Sequence, residues 1–356
     1  MTIKVKSLPA NDGDCFIITY GEGEKKYNVL VDGGSVTRDS IRKLKYELEV
    51  IKELNQCIDL LIVTHIDKDH IEGILKIFEL DIYKNMIEKV WFNSGRNIAR
   101  FFNSHKGIVR DTSIILGNET MIGIEHGNSL ENELEKMGLI TEGVITQGQQ
   151  YKLGDAIFYI LAPSIESLGS LNDIWEVEYE EADDTLISKS VKVNDHHELI
   201  NVLSNLPFNE DKSRVNASSI AFLFIYKNKK ILMLGDTPPS IIVEGLKNLS
   251  IEYDNQLSVD LMKVSHHGSR RNTSTELLNL ISCNKYLIST NGGKVKRLLP
   301  DKECLSRIIT NNKGKKLDLY FNYPVFENIF AQDELIEYKI KCHDISNEAF
   351  DYLVEV

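Results

Sequence analysis

Positive charge is scarce in this chain of 356 residues: 41 Lys and Arg stand against 53 Asp and Glu, a formal net charge of −12. That balance argues against a protein that coats nucleic acid through long-range attraction. No apolar run approaches the roughly 20 residues that span a bilayer, so a membrane partner is not expected. The amino terminus carries no charged-then-apolar leader; the expected location is cytoplasmic. Cysteines are few, odd in number and scattered (Cys15, Cys57, Cys283, Cys304, Cys342), with no CxxC spacing. This excludes a disulfide framework or a thiolate metal site and reads as reduced, mostly structural thiols. No internal repeat or low-complexity block is present.

What is present is 42% hydrophobic residue content, ordinary for a globular α/β protein with room for a large core. The most informative stretch is Val63-Thr64-His65-Ile66-Asp67-Lys68-Asp69-His70. An apolar run from Ile58 to Val63 reads as a buried strand, and residues 70–78 have helical spacing. Two imidazoles and two carboxylates at a strand-to-helix turn lie where α/β proteins place their sites. Mixed nitrogen and oxygen donors suit Zn²⁺, Mn²⁺ or Fe. Two further apolar runs end in polar pairs: Lys230 to Leu234 in Gly235-Asp236, and Leu261 to Val264 in Ser265-His266-His267-Gly268-Ser269. A solvated loop would explain any one cluster, but three strand ends together point to a metal site.

Elsewhere, residues 3–34 alternate as two or three antiparallel strands, 39–56 have helical spacing, and 157–163 read as a strand stopped by Pro163. Ser129 reads as the cap of a helix start. Residues of about 165–214 turn polar and acidic, notably Glu176 to Asp184, and become partly helical around 197–206; they read as an insertion. The domain reading is 1–316 as one unit carrying that insertion, with 317–356 as a carboxy-terminal extension packed on it.

HIDKDH, LGD and SHHGS in this order resemble the metallo-β-lactamase superfamily. More narrowly, they resemble the branch containing the nuclease-like domain of ComEC-type DNA-uptake proteins, which reads HxDxDH and carries HHGS. Asp12-Gly13-Asp14 and Asp32-Gly33-Gly34 are similar to that family's opening turns, and Asn216-Ala217-Ser218-Ser219 to its Asn-x-x-Ser segment. The resemblance implies a four-layer αββα sandwich, with structural turns at Asp14, Asp32, Gly33 and Asn216. It also implies one or two divalent ions, Zn or Mn. One would take Asp69, His70 and His266, with Asp236 bridging; the other would take His65, Asp236 and Asp67. His126 is near the position of a further family ligand, without a matching motif around it. Leu299 stands where the branch has a His before Pro.

The implied activity is hydrolysis by a metal-activated water, with Asp69 orienting the nucleophile and His267 donating to the leaving group. Basic residues follow the histidine pair, including Arg270, Arg271 and Lys294. With Ser269 and Asn291 they form the expected contact to a phosphate, so the expected reaction is that of a phosphodiesterase or nuclease on nucleic acid or nucleotide. An ester or lactone hydrolase is the alternative, and so is an effector module activated by a protein partner. His105, His196, His197 and His343 match no motif and read as surface residues.

Overall fold

The computed structural model describes residues 2–104, 118–175, 194–249, 256–293, 298–346 and 354–355. Alternation along the strands assigns the layers, because successive side chains leave a strand on opposite faces. In β2 (Phe16–Glu22), Phe16, Ile18 and Tyr20 face one way and Ile17 the other. The first three meet Phe158 of β7 (Ala156–Ala162) and Phe222 and Phe224 of β8 (Ala221–Tyr226) in a core between two sheets. Ile17 instead joins Leu44, Leu48, Ile71, Ile74 and Ile77, which come from helices Arg38–Glu53 and Lys68–Phe78. On the far side, Leu223 of β8 packs with Ile242, Leu246, Leu277 and Ile308 from helices covering the second sheet. Three cores between four layers make an αββα sandwich, as expected. Full burial of each Phe of the central core stabilises the fold by about 1.5–3 kcal/mol.

The first sheet has six strands. Its spatial order begins with β16 (Val354–Glu355), followed by β1 (Thr2–Ser7), β2, β3 (Lys25–Val31), β4 (Leu60–Ile62) and β5 (Val90–Trp91). β1 to β3 run antiparallel, whereas β3, β4 and β5 are parallel. In the eight-stranded second sheet, β6 (Gln150–Leu153), β7, β8 and β9 (Lys229–Met233) are antiparallel neighbours. From β9 the sheet continues in parallel through β11 (Leu261–Lys263), β13 (Lys285–Ile288), β14 (Leu317–Phe321) and β15 (Ile340–Asp344). A short pair, β10 (Leu257–Ser258) with β12 (Ile281–Ser282), lies apart.

The polar stretch 165–214 connects the neighbouring strands β7 and β8 and contains helices Ile165–Trp175 and Ile200–Leu203. Its acidic run Glu176 to Asp184 lies outside the described residues, as does His105. Residues 317–344 supply β14 and β15 to the second sheet. One local expectation fails: Ser129 does not open a helix but sits inside helix Asn118–Met137. Its hydroxyl donates to Glu125 O at 2.8 Å, the i−4 bond that satisfies a mid-helix serine. No described helix is long and apolar enough to cross a membrane.

Candidate metal centre

The first group of ligand candidates is held by the turn between β4 and helix Lys68–Phe78. Asp32, past the end of β3, accepts from Thr64 N and from Thr64 Oγ1, both at 2.7 Å, and this ties down the residue before His65. Ile71, Ile74, Ile77 and Phe78 bury one face of the helix, so its first turn presents Asp69 and His70 toward the second sheet. The approach is close on both sides. A Cβ on Gly13 would lie 1.6 Å from Asp69 O, and one on Gly73 would lie 1.9 Å from Gly33 O. The second and third groups arrive past β9 and β11. Gly235-Asp236 follows β9, with Asp236 N donating to Ser219 Oγ at 3.3 Å. His266 and His267 follow β11 in the left-handed region, at φ of 46° and 53°.

All four imidazoles are anchored through Nδ1. His70 Nδ1 donates to Asp32 Oδ2 at 2.8 Å, and His267 Nδ1 to the Ser289 carbonyl at 2.9 Å. His65 Nδ1 lies 3.0 Å from Thr64 Oγ1, whose own hydrogen is given to Asp32. His266 Nδ1 lies 3.2 Å from Asp211 Oδ2 and 3.1 Å from Asn272 Oδ1. Acceptors on Nδ1 fix a proton there and leave Nε2 as the atom that can ligate once any proton on it is displaced, the arrangement in which histidine binds metal.

The Nε2 atoms converge on three carboxylates. Asp236 Oδ2 is 3.5 Å from His70 Nε2, 3.5 Å from His267 Nε2 and 3.7 Å from His266 Nε2. Asp69 Oδ2 is 3.2 Å from His267 Nε2, and Asp67 Oδ2 is 3.5 Å from His65 Nε2. Ligand atoms of His65, His70 and Asp236 lie within 4.8 Å of one another, as do those of Asp69, His70 and His267. His65 Nε2, His70 Nε2, His267 Nε2 and Asp236 Oδ1 are buried with no hydrogen-bond partner. Buried polar atoms are rarely left so, and a divalent cation supplies what all four lack. The donor set therefore fits the implied ion.

Charge at the centre is dense. Burial lowers the pKa of His70 and His267, but Asp236 outweighs it, helped by Asp69 at His70 and by Asp14 at His267, and both rise well above the ordinary value. Burial would raise Asp236, yet His267, His266 and His70 hold it well below the carboxylate range. Without a cation the carboxylates keep protons on the imidazoles; a divalent ion takes the place of those protons. A fixed cation is already built in. The Lys263 ammonium, on β11, pairs with Asp14, lies 3.7 Å from Asp236 Oδ1 and donates to Gly235 O at 3.0 Å.

The structure thus gathers His65, Asp67, Asp69, His70, Asp236 and His267, with His266 beside Asp236 only; the imidazole that joins Asp69 and His70 is His267 and not the expected His266. Asp14, Asp32, Gly33 and Asn216 brace them, Asn216 Nδ2 donating to Asp211 Oδ2 at 2.6 Å. Of the expected basic rim, Arg270 is engaged elsewhere. The Arg270 guanidinium lies 3.3 Å from Asp301 and 3.5 Å from Glu303, already neutralised away from the ligands. Arg271 N donates to Ser269 Oγ at 3.2 Å, and Ser269 is fully buried. Asn291 Nδ2 bonds Asn11 Oδ1 at 2.7 Å. Lys294 lies outside the described residues.

His126 is on helix Asn118–Met137, and it belongs to none of the ligand groups among the described residues. His343 is held by Asp318 at 2.7 Å and His196 by Pro300 O at 3.1 Å, while His197 is exposed. Sequence reasoning missed Asp211, Lys263 and Asn272. Lys263 did carry a signal, a charge inside an otherwise apolar strand.

A cleft of about 580 Å³ opens beside the cluster, lined by Asp12, Asp67, Asp69, Glu72 and Glu119 against Lys68. Lys68 is itself 3.6 Å from Glu72. The mouth is acidic.

Three solved structures similar to this chain are CmlA, a metallo-β-lactamase and a metallo-β-lactamase family protein. CmlA is a diiron β-hydroxylase from Streptomyces venezuelae, 12% identical over 98% of this chain and 49% of its own, at a TM-score of 0.35. This chain therefore spans about half of CmlA's length. The HARLDQ-motif metallo-β-lactamase of Cronobacter sakazakii is 10% identical over 70% of each chain, at 0.30. The metallo-β-lactamase family protein from Thermus thermophilus is 10% identical over 69% of this chain and 67% of its own, at 0.27. No protein-family model and no curated protein matches the sequence.

Proposed function

We propose that this protein is a divalent-metal-dependent hydrolase whose first candidate substrate is a compact phosphodiester. One observation carries the reading: buried imidazoles anchored through Nδ1 present partnerless Nε2 atoms to shared carboxylates. His65, Asp67 and Asp236 would hold one ion, with His266 added through its approach to Asp236 Oδ2 at 3.7 Å, and Asp69, His70, His267 and Asp236 the other. An ion bound there supplies Lewis acidity and makes water acidic enough to attack near neutral pH. Asp69, whose side chain is 26% exposed beside the cleft, orients the attacking water. His267 serves as a ligand in this reading, because its Nδ1 is committed to a carbonyl and its ring is buried.

The order of HIDKDH, LGD and SHHGS supports the resemblance to the ComEC-type branch and a phosphodiester bond. The acidic mouth repels a long polyanion, and Arg270 is spent on Asp301 and Glu303. Substrate phosphate would be held by the ions themselves, which favours a short nucleotide over duplex nucleic acid. The same acidic lining favours a second reading, a small carboxylic ester or lactone.

The test is a Mn²⁺- and Zn²⁺-dependent assay on a dinucleotide, a generic phosphodiester, single-stranded and duplex DNA, RNA and a lactone. Turnover of the small phosphodiesters is expected, abolished by Asp69→Ala and by Asp236→Ala with circular dichroism unchanged. Turnover of the lactone alone replaces the first reading with the second. Turnover only after a protein partner is added identifies a partner-activated module.

A further inference from the structure

We propose that Asp211 is a positioning residue for the metal centre, fixing the tautomer and aim of His266. The proposal rests on the metal reading above. Asp211 lies in the connection between β7 and β8, 55 residues before His266. Its two carboxylate oxygens have separate tasks. Oδ1 accepts from Ser213 N at 3.0 Å, a local turn that holds the backbone entering helix Arg214–Ala217. Oδ2 faces His266 Nδ1 at 3.2 Å and accepts from Asn216 Nδ2 at 2.6 Å and from Asn272 Nδ2 at 3.0 Å. The Asp211 backbone is fixed as well, its N–H donating to Arg271 O at 3.0 Å.

The donor count decides the tautomer. Asp211 ionised can only accept, and the second group beside His266 Nδ1 with an oxygen toward it is Asn272 Oδ1 at 3.1 Å. With Nδ1 protonated, every donor around Oδ2 finds its acceptor and the His266 Nε2 lone pair faces Asp236 Oδ2 at 3.7 Å. With Nε2 protonated, Nδ1 would confront two oxygens, its one donor among the described residues being Asn216 Nδ2 at 3.3 Å, which is already given to Asp211 Oδ2 at 2.6 Å, and the ligand atom would carry a hydrogen. Asn272 closes the circuit, because its Nδ2 also donates to Asp236 O at 3.0 Å. Among the described ligand candidates Asp211 touches His266 alone, so it governs the ion position that His266 serves and not the other. A structural turn needs Oδ1 alone; Oδ2 is the part of Asp211 that serves the centre.

The experiment compares wild type, Asp211→Asn and Asp211→Ala in the full chain. It measures Mn²⁺ and Zn²⁺ stoichiometry and affinity by calorimetry and metal analysis, and imidazole ¹⁵N shifts of the metal-free protein. The Asn variant keeps the size and one acceptor. If its oxygen takes Ser213 N, its amide points donors at His266 Nδ1 and at the Asn216 and Asn272 amides. Expected for both variants is one ion bound about 10–100-fold more weakly, the other unchanged, loss of the Nδ1–H signature at His266, and near-native circular dichroism. Wild-type affinity at both positions in Asp211→Ala, or equal loss at both, overturns the role of Asp211. Wild type that binds no ion overturns the metal reading instead. In that case the ¹⁵N shifts still decide whether Asp211 sets the tautomer: unchanged shifts in Asp211→Ala overturn it, and loss of the Nδ1–H signature upholds it.

Discussion

Replacing Lys263 by Met tests how the centre balances its charge before any ion binds. Lys263 and Asp14 have side chains 1% and 2% exposed, so no water can substitute for the ammonium once it is removed. Asp14 would keep only His267 Nδ1 at 3.4 Å, and its Oδ1 already has no hydrogen-bond partner. Removing one member of a buried ion pair costs about 3–5 kcal/mol, because the other charge stays buried and uncompensated. Met has nearly the volume of the lysine stem, so the loss is electrostatic rather than a cavity. Urea denaturation of the metal-free protein should show that loss as a lower midpoint at unchanged slope. Lys263→Met with Asp14→Leu removes both charges, and such replacements are often neutral. The double variant should therefore recover more than half of the loss. Wild-type stability in the single variant, or a double variant no better than the single, would refute the reasoning.

Three further outcomes follow from the contacts. Gly73→Ala places a Cβ 1.9 Å from Gly33 O; it should cost at least about 1–3 kcal/mol and weaken ion binding measured by calorimetry, because helix Lys68–Phe78 must back away with Asp69 and His70. Arg270→Glu sets a third carboxylate beside Asp301 and Glu303; its readout should be a lower melting temperature, with the salt dependence of any nucleic-acid binding unchanged. Burial raises the Asp318 pKa, but the bond to His343 and the Lys316 charge outweigh it, and the folded value is depressed. A depressed carboxylate contributes stability above its unfolded pKa, roughly 3.9, and loses it as pH falls through the folded value. Asp318→Asn should therefore cost on the order of 1–2 kcal/mol at pH 7, and the gap to wild type in denaturation should close as pH falls below about 4.

The sequence disclosed the parts of this protein that are local. Asp69 and His70 share a helical turn, His65 is a few residues away, and apolar runs marked β4, β9 and β11 with their polar ends. The alternation of residues 3–34 foretold β1 to β3 for the same reason, since a two-residue period is written in neighbours. What stayed hidden depends on pairing across long separations. Asp211 and His266 are 55 residues apart, and the paired Lys263 and Asp14 are further apart still in sequence. Arg270 looked like a phosphate contact because composition cannot reveal that Asp301 and Glu303 fold back onto it. Ser129 misled for a different reason: a serine serves equally as a cap and as an i−4 donor.

The left-handed backbone at His266 and His267 sets durability against chemistry. An L-residue with a bulky side chain in that region carries roughly 1–2 kcal/mol of strain, and Gly carries almost none. At His267 that strain is outweighed, because the buried ring is the partner of Ser289 O, Asp14 and Asp236. At His266, whose side chain is 23% exposed, Gly relieves the strain while deleting a ligand. The metal-free fold and ion binding therefore set opposite demands on His266: screening for heat resistance alone relaxes the demand for it, whereas screening with Mn²⁺ or Zn²⁺ present keeps it, because a bound ion returns in affinity what the turn gives up in stability.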